Sequence, residues 1–143
     1  MEAHSAAQGK KRILFVCTHN SSRSQMAEGL LRTLCGDRYE AYSAGTEPTN
    51  VHPAAVAVMA EVGIDIRSHR AKGLDAVACI EFDEVVTVCD HAQESCPIVP
   101  GGGQKRHQSF PDPAAAKGGE GEILAVFRRV RDEIKDWILK TYL

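Results

Sequence analysis

Apolar and polar positions alternate along this chain in blocks that change period. Ile13-Leu14-Phe15-Val16-Cys17 is an unbroken apolar run of strand length, the pattern of a strand buried on both faces of a parallel sheet. After a polar loop, Met26, Ala27, Leu30, Leu31 and Leu34 recur at helical spacing and predict a helix from Ser22 to about Cys35. Glu40 to Gly45 reads as a second strand. Beyond Pro48 and Asn50, Pro53 opens an Ala- and Val-rich helix from the first-turn position that tolerates proline, and Gly63 ends it. A shorter helix is expected from Leu74 to about Glu81. Asp83 to Cys89 is the next clear strand, followed by loop material around Pro97, Pro100 and Gly101-Gly102-Gly103. A last short strand is expected near residues 106–110. Phe127, Val130, Ile134, Trp137 and Ile138 then hold the 3.6 period of a final helix, with Trp137 as a core anchor.

Strands that alternate with helices predict an α/β fold: a three-layer sandwich with a mostly parallel four-stranded sheet and helices on both faces. Such sheets carry their sites at the carboxyl ends of the strands. Cys17 and Cys89 both fall at such ends. Residues 1–10 are expected to form a flexible tail and residues 11–143 a single domain, which suits the length of 143 residues.

Composition narrows the function classes. The chain is 43% hydrophobic and 25% charged, with a formal charge of -2, so no nucleic-acid or membrane partner is expected. Lys10-Lys11-Arg12 reads as the solvated entry to a strand. No apolar run reaches membrane-spanning length, and the polar start lacks the apolar core of a secretory signal. The odd number of cysteines, 5, argues for reduced thiols and a cytoplasmic setting. Cys89 and Cys96 are too far apart for a CxxC zinc knuckle.

Between the first strand and its helix lies Cys17-Thr18-His19-Asn20-Ser21-Ser22-Arg23-Ser24. A loop of this length can curl its N–H groups into one concavity, and the helix start adds unpaired N–H groups and its positive dipole end. The result is a cradle for a tetrahedral oxyanion, completed by the planar fork of Arg23. The same positive surroundings favour the thiolate of Cys17. Ser24 can donate to the sulfur, and Asn20 can pin an unusual backbone. His19 reads as a loop-lining or solvent-facing side chain, since a thiolate needs no base. Cys35 and Cys79 read as inert thiols within helices.

The extended segment VCTHNSSRSQMAEG, with YSAGTEP, VGIDI, VVTVCD and Cys96-Pro97, resembles the low-molecular-weight tyrosine phosphatase superfamily, and more closely its arsenate reductases. The resemblance runs from about Arg12 to the C-terminus. It implies a low-molecular-weight phosphatase-like fold, with Thr18 to Ser24 binding the oxyanion and Cys17, Arg23 and Asp112 in catalysis. Asp112, before Pro113, would be the general acid. In the thioredoxin-coupled reductases, Cys17 would attack arsenate, Cys89 would attack the resulting adduct and release arsenite, and Cys96 would then take over Cys89. Thioredoxin would be the electron donor, no cofactor would be tightly bound, and phosphate would compete with arsenate. Many such reductases have another Cys where this chain has Ser22. Some bind potassium through residues matching Asn20, Glu28 and Ser43; the matching outer segment here is Arg70-Ala71-Lys72, whose Lys72 ammonium could replace the ion, and no metal is predicted. Two other readings remain open: a phosphomonoester or phosphotyrosine hydrolase, and an oxyanion-sensing or thiol-regulated binding module that would not need Asp112.

Overall fold

The computed structural model describes residues 9–95 and 102–143. Most of the expected tail, and Cys96, lie outside the described residues. The sheet is formed by β1 (Lys11–Cys17), β2 (Tyr39–Gly45), β3 (Phe82–Thr87) and β4 (Gly102–His107) in the order β2-β1-β3-β4, with every pairing parallel. β1 is central, which is why its apolar run is continuous: Ile13 to Cys17 are all buried.

The helices are α1 (Arg23–Cys35), α2 (Pro53–Glu61), α3 (Asp90–Ser95) and α4 (Glu120–Tyr142). α1 lies against β1 and β2 and packs on α4, which also packs on α2. The β1–α1–β2 and β3–α3–β4 crossovers run in opposite directions along the sheet. Right-handed connections therefore place α1 and α3 on opposite faces. The strand order reverses beside β1, and the crevice this opens lies at the carboxyl ends of β1 and β3.

α4 buries Phe127, Val130, Ile134, Ile138 and Tyr142 on one face. Trp137 is half-buried, edge-on to Phe110 at 6.0 Å and to Tyr142 at 5.6 Å. The far end of the helix is fastened to the sheet. The Tyr142 hydroxyl donates to buried Glu84, which also pairs with Arg106 at 2.9 Å, and Arg38 donates to the Tyr142 carbonyl at 2.8 Å. Burial, then the bond to Glu84, pushes the Tyr142 phenol well above its usual range. On the near side, Arg131 donates to Val58 O at 2.8 Å and Arg128 grips Glu61, joining α4 to α2.

Four local expectations need correction. Leu74 to Glu81 is not a helix: only a 3-10 turn, Leu74–Val77, forms, and Cys79 is exposed rather than buried in a helix. The segment after β3 is not all loop, since Asp90–Ser95 is helical. The last strand begins at Gly102, earlier than expected. The β3 ladder also stops at Thr87, which places Cys89 in the turn into α3.

Candidate active site

Cys17 ends β1 and Arg23 begins α1, so the strand and the helix fix the two ends of the connecting loop. What shapes the loop between them is the chain after β2. Thr46 N donates to Cys17 O at 3.1 Å, Glu47 N to Thr18 O at 2.7 Å, Thr49 N to His19 O at 3.1 Å and His52 N to Ser21 O at 3.0 Å. These carbonyls are thus drawn outward. A trans peptide sets its N–H opposite its C=O, so the N–H groups of Thr18, His19, Asn20 and Ser22 turn inward. An inward N–H array of this kind has the geometry to receive an anion.

Asn20 holds the sharpest bend, with φ 51°, a left-handed conformation that asparagine tolerates. Its side chain is fully buried and bonded through both its oxygen and its nitrogen. Oδ1 accepts from Lys72 N at 3.0 Å and from Gln25 Nε2 at 2.9 Å, and Nδ2 donates to Ser24 Oγ at 2.7 Å. Ser24 Oγ accepts from Asn20 and lies 2.8 Å from Cys17 Sγ, with its own proton free to be donated to the sulfur. Gly45 closes the back of the loop. A Cβ there would lie 2.7 Å from Thr18 O and 2.8 Å from Asn20 N, so only glycine lets β2 approach this closely.

Arg23 reaches across to the chain after β4. Its Nη1 donates to Phe110 O at 3.1 Å, and Nη2 lies 3.8 Å from Asp112 Oδ2. The other Asp112 oxygen accepts from Ala114 N at 3.0 Å, which leaves a half-exposed carboxylate facing the loop. A pocket of about 50 Å³ is lined by Cys17, His19, Ser21, Ser22, Arg23, Asp112 and Ala114. Ser22 Oγ is buried and meets no partner. His19 is exposed at the rim. A wider cleft of about 610 Å³ opens above, between Thr18, Arg23, Cys89 and Asp112.

Cys89 is the second thiol of this cleft. It is 3% exposed, with Sγ 3.3 Å from Thr18 Oγ1 and 3.4 Å from Ala92 N in the first turn of α3. Thr18 follows Cys17 directly, so the two free thiols flank one residue. Cys35 is buried at the end of α1, where burial pushes its thiol up and keeps it protonated.

The resemblance already grouped Glu28, Ser43 and Lys72, but sequence reasoning missed Gln25, His69 and Arg32 beneath the loop. Gln25 Nε2 donates to Asn20 O at 3.1 Å and to Arg70 O at 3.0 Å. Gln25 Oε1 meets His69 Nδ1 at 2.9 Å. Arg32 Nη1 lies 3.0 Å from His69 Nε2, and a guanidinium can only donate, so His69 accepts there and carries its proton on Nδ1. Glu28 is buried and accepts from Ser43 Oγ at 2.5 Å and from Arg32, with Lys72 Nζ 3.7 Å away. Lys72 Nζ is also 3.5 Å from Ser43 Oγ, so a cation of the chain itself faces these oxygens. Burial pushes His69 below the usual imidazole range, against the pull of Glu28 and together with repulsion from Arg32 and Lys72. Among the described residues, no group of three or more His, Cys, Asp or Glu side chains is placed to hold a metal ion.

Residues 12–141 match the family model for low molecular weight phosphotyrosine protein phosphatase. The arsenate reductase of Halalkalibacterium halodurans is 49% identical over 125 residues, covering 87% of this chain and 90% of that protein. An arsenate reductase solved in a phosphate-binding state superimposes with a TM-score of 0.75 at 33% identity, covering 91% of this chain and 95% of that one. A low molecular weight protein tyrosine phosphatase from T. tengcongensis gives 0.73 at 29% identity, over 92% of this chain and 97% of its own.

Proposed function

The chain belongs to the low molecular weight phosphotyrosine protein phosphatase family, and from that premise we propose that it is an arsenate reductase working by a cysteine relay. The observation that carries the reading is Cys89: a second buried thiol in contact with Thr18, beside the cradle thiol. A phosphatase requires only one thiolate and water.

In this reading Thr18 to Ser24 hold arsenate through inward N–H groups, and the Arg23 guanidinium balances its charge. The Cys17 thiolate attacks arsenic, and Asp112 protonates the oxygen that leaves as water. Cys89 then attacks Cys17 Sγ. A sulfur–sulfur bond forms, the sulfur–arsenic bond breaks, and its electron pair stays on arsenic, which departs as arsenite. The N–H of Ala92 donates to the attacking Cys89 sulfur, and the Thr18 hydroxyl, 3.3 Å away, can donate to it as its proton leaves. Cys96 next attacks Cys89 and frees Cys17. Thioredoxin, in a cytoplasmic setting, reduces the resulting 89–96 disulfide by thiol exchange. Phosphate competes for the cradle.

The second reading, phosphomonoester hydrolysis, is favoured by Arg23 and Asp112, which would serve a departing alcohol equally well. Arsenate-dependent NADPH consumption with thioredoxin and thioredoxin reductase separates the two. The expected result is turnover in wild type, none in Cys89→Ser or Cys96→Ser, and aryl-phosphate hydrolysis surviving in both variants. Vigorous hydrolysis with no arsenate-linked turnover in wild type would make the protein a phosphatase.

A further inference from the structure

Cys89 sits where the backbone ladder around β3 gives out. Val88 is held from both sides, its N–H donating to Val16 O at 2.9 Å and its carbonyl accepting from Phe110 N at 3.1 Å. From Cys89 onward the hold passes to side chains, and one imidazole supplies ties on both sides of the thiol. His107, at the end of β4, pairs in register with Thr87. Its Nδ1 lies 2.7 Å from Thr87 Oγ1 and its Nε2 3.0 Å from Asp90 Oδ1. The carboxylate can only accept, so Nε2 donates and, in the neutral ring, Nδ1 receives the threonine hydroxyl. His91 adds a tie from α3 to the chain after β2, 3.3 Å from Glu47 Oε2.

These ties differ in strength. The Thr87 contact is half-buried, whereas the Asp90 carboxylate is 77% exposed, and a solvated pair of that kind is held weakly. Such an attachment orients a segment and then releases it. A thiol that must first meet Cys17 and afterwards be met by a third thiol needs both properties.

We infer that His107 is a positioning residue for the second thiol: by bracketing Cys89 through Thr87 and Asp90 it aims the sulfur at the loop, and so sets the rate of sulfur–sulfur bond formation without touching the oxyanion. The inference rests on the relay reading above. The test is arsenite release in a single turnover, with the reduced full-length protein mixed with arsenate in the absence of thioredoxin. His107→Phe, which keeps a ring and loses both bonds, is expected to slow release by about ten- to a hundredfold, the scale of a small misplacement of a reacting group. The arsenate concentration for half-maximal rate and the hydrolysis of p-nitrophenyl phosphate should stay within about twofold, because the cradle is untouched and only the later step slows. His107→Gln, whose amide can still donate to Asp90, should recover much of the rate, and adding Asp90→Ala to His107→Phe should slow release little further, since contacting residues are not additive. Unchanged release in His107→Phe, with none in Cys89→Ser, would overturn the role of His107 and leave the relay standing. Release as fast in Cys89→Ser as in wild type would remove the relay, and this inference with it. Equal loss of arsenite release and phosphate hydrolysis in both His107 variants would reduce the residue to a structural one and overturn the proposal.

Discussion

Ser24 shows how one hydroxyl can serve two partners at once. Its oxygen accepts from Asn20 and its proton can be given to Cys17 Sγ, 2.8 Å away, a contact that orients the sulfur. Ser24→Ala removes that donor and leaves a buried amide N–H of Asn20 unpaired, a loss of about 1–3 kcal/mol. The expected outcome is slower alkylation of Cys17 by iodoacetamide at pH 7, together with slower aryl-phosphate hydrolysis and a lowered melting temperature. Alkylation at the wild-type rate would show that the hydroxyl does not tune the sulfur. The contact with sulfur was legible in the sequence, because a hydroxyl in the first turn of the helix lies beneath the strand end. The Asn20 contact was not legible, since it depends on Asn20 being held by Lys72 and Gln25 from elsewhere in the chain.

At the scale of elements, the parts that could be read were those in which burial imposes a period. β1, α1 and α4 carry long apolar patterns and form nearly where expected. α3 is too short for a helical period to show and its sequence is polar, while β4 lies at the sheet edge with the polar sequence GGQKRH. Neither announces itself by hydrophobicity. The outer wall of the cradle was equally hidden, because bonds between the backbone of residues 46–52 and the loop carbonyls leave no side-chain signature. Gly45 is the one visible trace of that wall. Gly45→Ala forces backbone against backbone at the loop, and overpacking of this kind costs roughly 1–3 kcal/mol. The fold should persist with a lowered melting temperature, while the Michaelis constant for an aryl phosphate rises more than the turnover number falls. Unchanged affinity would mean that the loop accommodates the methyl group by moving without loss of its N–H array.

The whole molecule places a buried carboxylate under its active loop, and the groups around it come from α1, β2 and the chain before the 3-10 turn: Arg32, Ser43, His69 and Lys72. Burying Glu28 is tolerable only because cations and a hydroxyl surround it. Neutral His69 joins that cluster to Gln25 and Asn20, so the loop's conformation and the protein's response to acid share one side chain. Burial first, with Arg32 and Lys72, holds folded His69 below the unfolded value of about 6.5, although Glu28 opposes them. As pH falls, the unfolded chain therefore takes up its proton before the folded one does. The contribution of His69 to stability is complete above about pH 6.5 and is lost progressively below it. Substitution by glutamine removes the titration while keeping an amide that can bond to Gln25. Melting temperatures measured from pH 8 to pH 5 should accordingly fall less steeply in His69→Gln than in wild type, with the two curves diverging only below about pH 6.5. Parallel curves across the whole range would assign the acid sensitivity to carboxylates elsewhere and detach His69 from it.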